Sequence, residues 1–353
     1  MNASEHYRAL HRIAEEGFCE FETKKYILGA IENMGCAIYE VGKTGVLAYF
    51  DFGKSTTSAF RAEMDALPIT EKTGLPFASE NVGCMHACGH DAHMAMLLSL
   101  AERLSKGCDI LCNVLLIFQP AEEKRGGAEA VVSSPDFLRI APERIFAIHL
   151  RPQLEKGKLF SGIGAIYAGS SEIVATFCGE QAHITENIKN DALENAARFY
   201  IGTKYQAKEE GLLIRFGRLC AGTAGNVTPC LAELCGTMRY FSEPEKISET
   251  EILLRKAKKY GGEVHIFEYA PPACNSGELF ELSGCSRLSE PILCADDFSV
   301  YGRVCPHPLY MLLGTGDTPP LHSDEFAFDE SILRFGEEKL FYIVRNEKIS
   351  KVI

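Results

Sequence analysis

Two stretches of this chain are apolar at almost every position, residues 110–118 and residues 144–150. A strand with one wet face alternates apolar and polar residues, so a run that does not alternate has to be covered on both faces. Between and around these runs the spacing is helical. Residues 92–104 place Met94, Leu97, Leu98, Ala101 and Leu104 on one stripe, residues 127–132 are helical, and residues 21–34 form a helix that Gly35 stops. Residues 46–52 and 59–64 read as further strands. Strands alternating with helices in this way predict an α/β fold, a sheet with helices on both faces.

The pattern changes near Gly169. Residues 171–178, 212–219, 232–241 and 264–269 read as half-buried strands, with helices over 187–208 and 243–260. This is an α+β pattern on an antiparallel sheet, which predicts a separate smaller domain over 169–273. After Pro271-Pro272 come loops, an apolar strand at 309–313 and a final helix from Asp329. The economical reading is that this tail rejoins the first domain. The larger domain is then discontinuous, 1–168 with 274–353, and the smaller one is an insertion. A chain of 353 residues can bury two such cores.

The formal charge is −12, which disfavours nucleic acid and anionic membrane as partners. No apolar run approaches the ~20 residues of a bilayer-spanning helix. Residues 1–12 are polar and charged, without the look of an export signal. The fourteen cysteines are therefore expected as reduced thiols in a cytoplasm. No C-x-x-C pair occurs, and Cys112, Cys178 and Cys235, in apolar strands, read as small buried hydrophobes.

The chemistry concentrates in Cys84-Met-His86-Ala-Cys88-Gly-His90-Asp91-Ala-His93. Thiolate and imidazole suit zinc and related transition metals. Not all of these side chains can ligate. His93 falls inside the following helix and Cys84 precedes the turn, so Cys88 and His90 are the selected pair, with Gly89 permitting an irregular backbone between them. The second segment, Gln119-Pro-Ala-Glu122-Glu123, follows a buried strand, where α/β sites form. Adjacent carboxylates there can divide the work, one binding metal and the other taking a proton from activated water. They would equally suit a solvated helix start. His149 ends another buried strand, and His322 follows the Gly- and Pro-rich loop 314–320. Each of these alone reads as structural; together they form the ligand mix of a catalytic metal site.

The segments FRAEMDALPITEKTGLPFAS, MHACGHDAHMAMLL, IFQPAEE, GGAEAVV, GTAGNVTP, GTMRYF and DDF occur in that order. Together they resemble the dinuclear metal-dependent amidohydrolases of the aminoacylase, hippurate hydrolase and auxin-conjugate hydrolase family, to which the N-acetyldiaminopimelate deacetylases belong. The resemblance implies a zinc-peptidase-like catalytic domain and an inserted lid or dimerisation domain. It implies two divalent ions, zinc or manganese first and cobalt or nickel after them, held by Cys88, His90, Glu123, His149 and His322. Glu122 would be the general base, and Asp65 and Asp91 would orient ligands from behind. From the smaller domain, His183 would stabilise the oxyanion, while Asn226 and Arg239 would hold the substrate. The implied reaction is deacylation of a small N-acyl amino acid, by an enzyme that can dimerise through its smaller domain.

The chain departs from the family pattern in three places. Glu63 stands where Asp is usual, Ile184-Thr185-Glu186 follow His183 in place of small residues and Pro, and the smaller domain is shortened together with the stretch before Asp296-Asp297. Two alternatives follow from the residues: a metal-free thiol hydrolase with Cys88 as nucleophile, and a degenerate member that binds metal or ligand without turnover.

Overall fold

The computed structural model describes residues 1–107, 109–204 and 212–352. They cluster into two compact units: Met1–Ile166 with Cys274–Ser289 and Asp297–Ile353, and Tyr167–Ala273 with Glu290–Asp296. The segment 290–296 thus groups with the smaller unit, although the sequence pattern placed it in the larger one.

The larger unit is built on an eight-stranded mixed sheet. Its order is Ala37–Val41, Gly45–Phe50, Asn113–Gln119, Thr57–Glu63, Arg144–Pro152, His307–Gly316, Leu159–Ser161 and Ser286–Arg287. The four strands from Asn113–Gln119 to His307–Gly316 run parallel. Asn113–Gln119 is buried at every residue, as its unbroken apolar run requires. Helix His90–Ser105 is buried almost all round, because it lies between the sheet and the helices Ala3–Arg12 and Leu333–Arg345. The opposite face carries Gly127–Val132, Pro135–Ile140 and the 3-10 helix Asp297–Arg303, where Phe137 and Phe298 pack on Tyr301. The α/β fold with helices on both faces is therefore present in this unit.

The four parallel strands end on one edge of the sheet. The chain leaves Thr57–Glu63 for Asn113–Gln119 on one side, and Arg144–Pro152 for His307–Gly316 on the other. Such a reversal opens a crevice beyond the strand ends, the usual ligand position in α/β sheets.

The smaller unit has a four-stranded antiparallel sheet in the order Gly262–Ala270, Gly169–Cys178, Leu231–Tyr240, Leu213–Ala221. Helices Ala192–Lys204 and Glu243–Lys259 cover one face, over Ile173, Ala175, Phe177, Leu234 and Met238. The helix expected over 187–208 starts later than the spacing suggests, and positions 205–208 lie outside the described residues. Because both helices pack on one face, alternate residues point away from the core. Cys178 is exposed and Cys235 half-buried, so of the three cysteines only Cys112, in the bend just before strand Asn113–Gln119, is the buried hydrophobe expected. Among the described residues, no helix is long and apolar enough to cross a membrane.

Candidate metal centre

Five candidate ligands meet at the crevice of the larger unit. Gly89, at φ +82, turns the chain into helix His90–Ser105 and sets His90 at its first residue, with Cys88 just before. A left-handed residue at this point is what glycine permits without a Cβ clash. Glu122 and Glu123 follow the strand Asn113–Gln119 through Ala121, at φ +50. His149 lies near the end of Arg144–Pro152. His322, at φ +65, donates its backbone N–H to Ala87 O at 2.9 Å. Two non-glycine residues in the left-handed region beside one site mark strain of the kind functional sites hold. At Gly127 a Cβ would lie 1.9 Å from Pro120 O, so the segment carrying the two glutamates can close only over glycine.

Hydrogen bonds fix which atoms are left for a metal. His90 donates Nδ1–H to Asp65 O at 2.8 Å, and its buried Nε2 has no hydrogen-bond partner. His149 donates Nδ1–H to Leu150 O at 2.8 Å, which turns its Nε2 lone pair toward Cys88 Sγ, 3.5 Å away. These tautomers are assigned from the acceptors, since a carbonyl can only accept. Ligand-type atoms of Cys88, His90 and Glu123 lie within 4.8 Å of one another. His322 Nε2 stands 3.1 Å from Glu123 Oε1. Thiol, imidazole and carboxylate so arranged suit a transition metal, and a buried imidazole nitrogen without a partner is what a ligand looks like before its ion is present.

Behind these side chains, the Asp65 carboxylate accepts the backbone N–H groups of Glu122 at 3.0 Å and Glu123 at 2.9 Å. One residue thus orients His90 through its carbonyl and both glutamates through its carboxylate. The Asp91 carboxylate accepts Ala92 N–H at 2.9 Å and pairs with His11 Nδ1 at 2.6 Å. It closes the start of the ligand-bearing helix and ties it to helix Ala3–Arg12. The partner His11 was not legible as a site residue, because nothing local marks it. Burial disfavours its cation, but Asp91 and Glu71 outweigh burial and hold it at about 9.

Burial, reinforced by the carboxylates of Glu123, Glu122 and Glu63, pushes the Cys88 thiol well above its ordinary value. Burial likewise drives His149 well below its own. In this setting a thiolate needs a bound cation. Under the site, Arg61 donates to Gln119 Oε1 at 2.9 Å and to Asp297 Oδ1 at 2.6 Å, and Tyr301 donates to Gln119 Oε1 at 2.9 Å. That buried network joins residues of the RAEMD, QPAEE and DDF segments.

In the smaller unit, Thr228 Oγ1 accepts Ala182 N–H at 2.9 Å, Thr228 N–H reaches Ala182 O, and His183 and Val227 form an isolated bridge. These bonds bring His183 and Asn226 onto neighbouring segments. His183 Nδ1 lies 2.7 Å from Thr185 Oγ1 and accepts Thr185 N–H at 3.4 Å, which leaves the proton on the outward Nε2. Arg239 sits on strand Leu231–Tyr240 with its buried Nη1 lacking any partner.

An α/β unit carrying thiol, imidazoles and carboxylates at the ends of its parallel strands defines a metal-dependent hydrolase. Residues 59–346 match the Peptidase family M20/M25/M40, and the chain belongs to that family. It is 34% identical to an N-acetyldiaminopimelate deacetylase of Streptococcus uberis, over 93% of this chain and 94% of that one. The YXEP protein of Bacillus subtilis, described as a dinuclear metal-binding peptidase of the M20 family, superposes with a TM-score of 0.84 at 29% identity, over 96% of this chain and 95% of that one. A putative aminohydrolase from methicillin-resistant Staphylococcus aureus gives a TM-score of 0.90 at 28% identity, over 98% and 96% of the two chains. The protein is a metal-dependent amidohydrolase.

Proposed function

We propose that the larger unit holds two divalent ions on Cys88, His90, Glu123, His149 and His322 and hydrolyses the amide of a small N-acyl amino acid. The observation that carries this reading is the convergence of Cys88, His90 and Glu123 within 4.8 Å, with the His90 Nε2 left open. When bound, the ions would polarise the acyl carbonyl and lower the pKa of water toward ~7. Glu122, held beside Glu123 by Asp65, takes the proton of the attacking water and returns it to the leaving amine. His183 donates Nε2–H to the developing oxyanion. Asn226 orients the substrate, and Arg239 pairs with the free carboxylate of the amino acid. The smaller unit acts as lid and dimerisation element.

The relatives named N-acetyldiaminopimelate deacetylase make that compound the first substrate to try. The test is release of the free amino acid from a panel of N-acyl amino acids by protein reconstituted in turn with zinc, manganese, cobalt and nickel. Active, untreated protein found to contain no metal would overturn the reading. Activity that resists chelators and is abolished by iodoacetamide would favour Cys88 as a nucleophile, but the raised thiol speaks against that. Stoichiometric metal without turnover on any substrate would identify a binding protein.

A further inference from the structure

Glu63 and His93 have ligand-type atoms within 4.8 Å of His90 and His149, yet their hydrogen bonds keep them from ligating. His93 Nε2 accepts the backbone N–H of Leu150 at 3.0 Å. A nitrogen engaged in this way has no lone pair left for a metal, and the ring proton must sit on Nδ1, which donates to Glu63 Oε2 at 2.8 Å. The other Glu63 oxygen is paired with Arg61.

The Leu150 N–H needs such a partner. Strand Thr57–Glu63 pairs with Arg144–Pro152 only from Ser58↔Arg144 to Arg61↔Ala147, so beyond Ala147 that side of the strand has no neighbouring backbone from Thr57–Glu63. The His93 imidazole takes the place of the missing strand. The next peptide, Leu150–Arg151, is held as well, because the Leu150 carbonyl accepts Nδ1–H of His149 at 2.8 Å. The rings of His93 and His149 lie 4.6 Å apart, centroid to centroid.

We propose that Arg61, Glu63, His93 and the backbone of Leu150 form a buried positioning relay that fixes His149 in the tautomer whose Nε2 lone pair faces Cys88. The inference rests on the reading of His149 as a metal ligand. It also gives Glu63 a role: its two oxygens hold the Arg61 guanidinium and the His93 ring at once.

The test measures zinc affinity of the metal-free protein by competition with a chromogenic chelator, together with the absorption spectrum of the cobalt-loaded protein. His93→Leu removes both bonds and should weaken zinc by about 10–100-fold, the usual effect of losing a group that orients a ligand, and should shift the cobalt bands. In His93→Gln the amide can accept from Leu150 and donate to Glu63, so affinity should largely return. Leu98→Ala, in the same helix, should lower stability and leave zinc affinity unchanged. His149→Ala tests the ligand reading separately: full metal retention there would remove the premise. If His149→Ala loses metal while His93→Leu binds zinc with wild-type affinity and spectrum, the relay is wrong. The metal-free wild type provides a check independent of folding in the variants. Its ¹⁵N shifts should show His149 protonated at Nδ1, and an Nε2-protonated ring would overturn the proposal.

Discussion

Asp65 shows how little of a site's support is visible in its motifs. Its two carboxylate oxygens take the N–H groups of Glu122 and Glu123, and its carbonyl takes His90. Asn at this position offers one acceptor oxygen where Asp offers two. Asp65→Asn is therefore expected to leave the fold in place and to weaken metal binding by about 10–100-fold, measured by chelator competition. Unchanged affinity would show that the two glutamates hold their places without it. Those glutamates should separate on substitution. Glu122→Gln keeps size but cannot take a proton, so metal content should survive while kcat falls by ~10²-fold or more. Glu123→Gln should lose metal first and recover part of its activity in excess metal; identical behaviour of the two variants would refute the division of labour. Cys88, His90 and Glu123 were legible because CGHDAH and QPAEE carry them, whereas His149 and His322, each structural when read alone, entered through the family resemblance. The supports His11 and His93 were not, since their partners, Asp91 and the Leu150 backbone, are set by folding rather than by local spacing.

Among the elements, the buried strands and helix His90–Ser105 were read well, because continuous burial forces continuous apolarity. Strand Ala37–Val41 was missed: it sits at a sheet edge and is mostly exposed or half-buried, so its sequence carries no strong period. Helix Ala3–Arg12 was missed because its inner face uses His6, Tyr7 and His11 as well as Leu10. That helix should impose a pH dependence on stability. His11 is raised from 6.5 to about 9 in the folded protein, so folding retains a proton that the unfolded chain releases. The stabilisation is complete below about 6.5 and is lost as pH rises through about 9. Urea midpoints of the wild type should fall across that interval. His11→Gln should be less stable at neutral pH and flatter over the same range. Parallel curves for the two proteins would place the proton elsewhere.

At the scale of the whole molecule, the change from alternating to antiparallel patterning near Gly169 was visible as a change of period, whereas the grouping of 290–296 with the smaller unit was not, because that segment has neither period. In the proposed reaction the larger unit supplies the metal ligands and the base, and in the smaller unit Arg239 serves recognition alone, so its loss should separate from loss of the metal site in kinetics. Arg239 is the residue on which to test this. Burial works against its guanidinium charge, and the buried Nη1 has no hydrogen-bond partner. A desolvated cation left in this state favours an anionic ligand, and a charge-assisted hydrogen bond to one contributes ~1.5–3 kcal/mol. Arg239→Ala should therefore raise KM for substrates with a free α-carboxylate by roughly 10–150-fold, the same energy expressed as a ratio. The corresponding α-amides never formed the full bond and should be affected much less. Metal content should be unchanged, since none of the proposed ligands lies in the smaller unit. Equal effects on acids and amides would remove Arg239 from carboxylate recognition and leave its unpartnered nitrogen to be explained by something other than substrate.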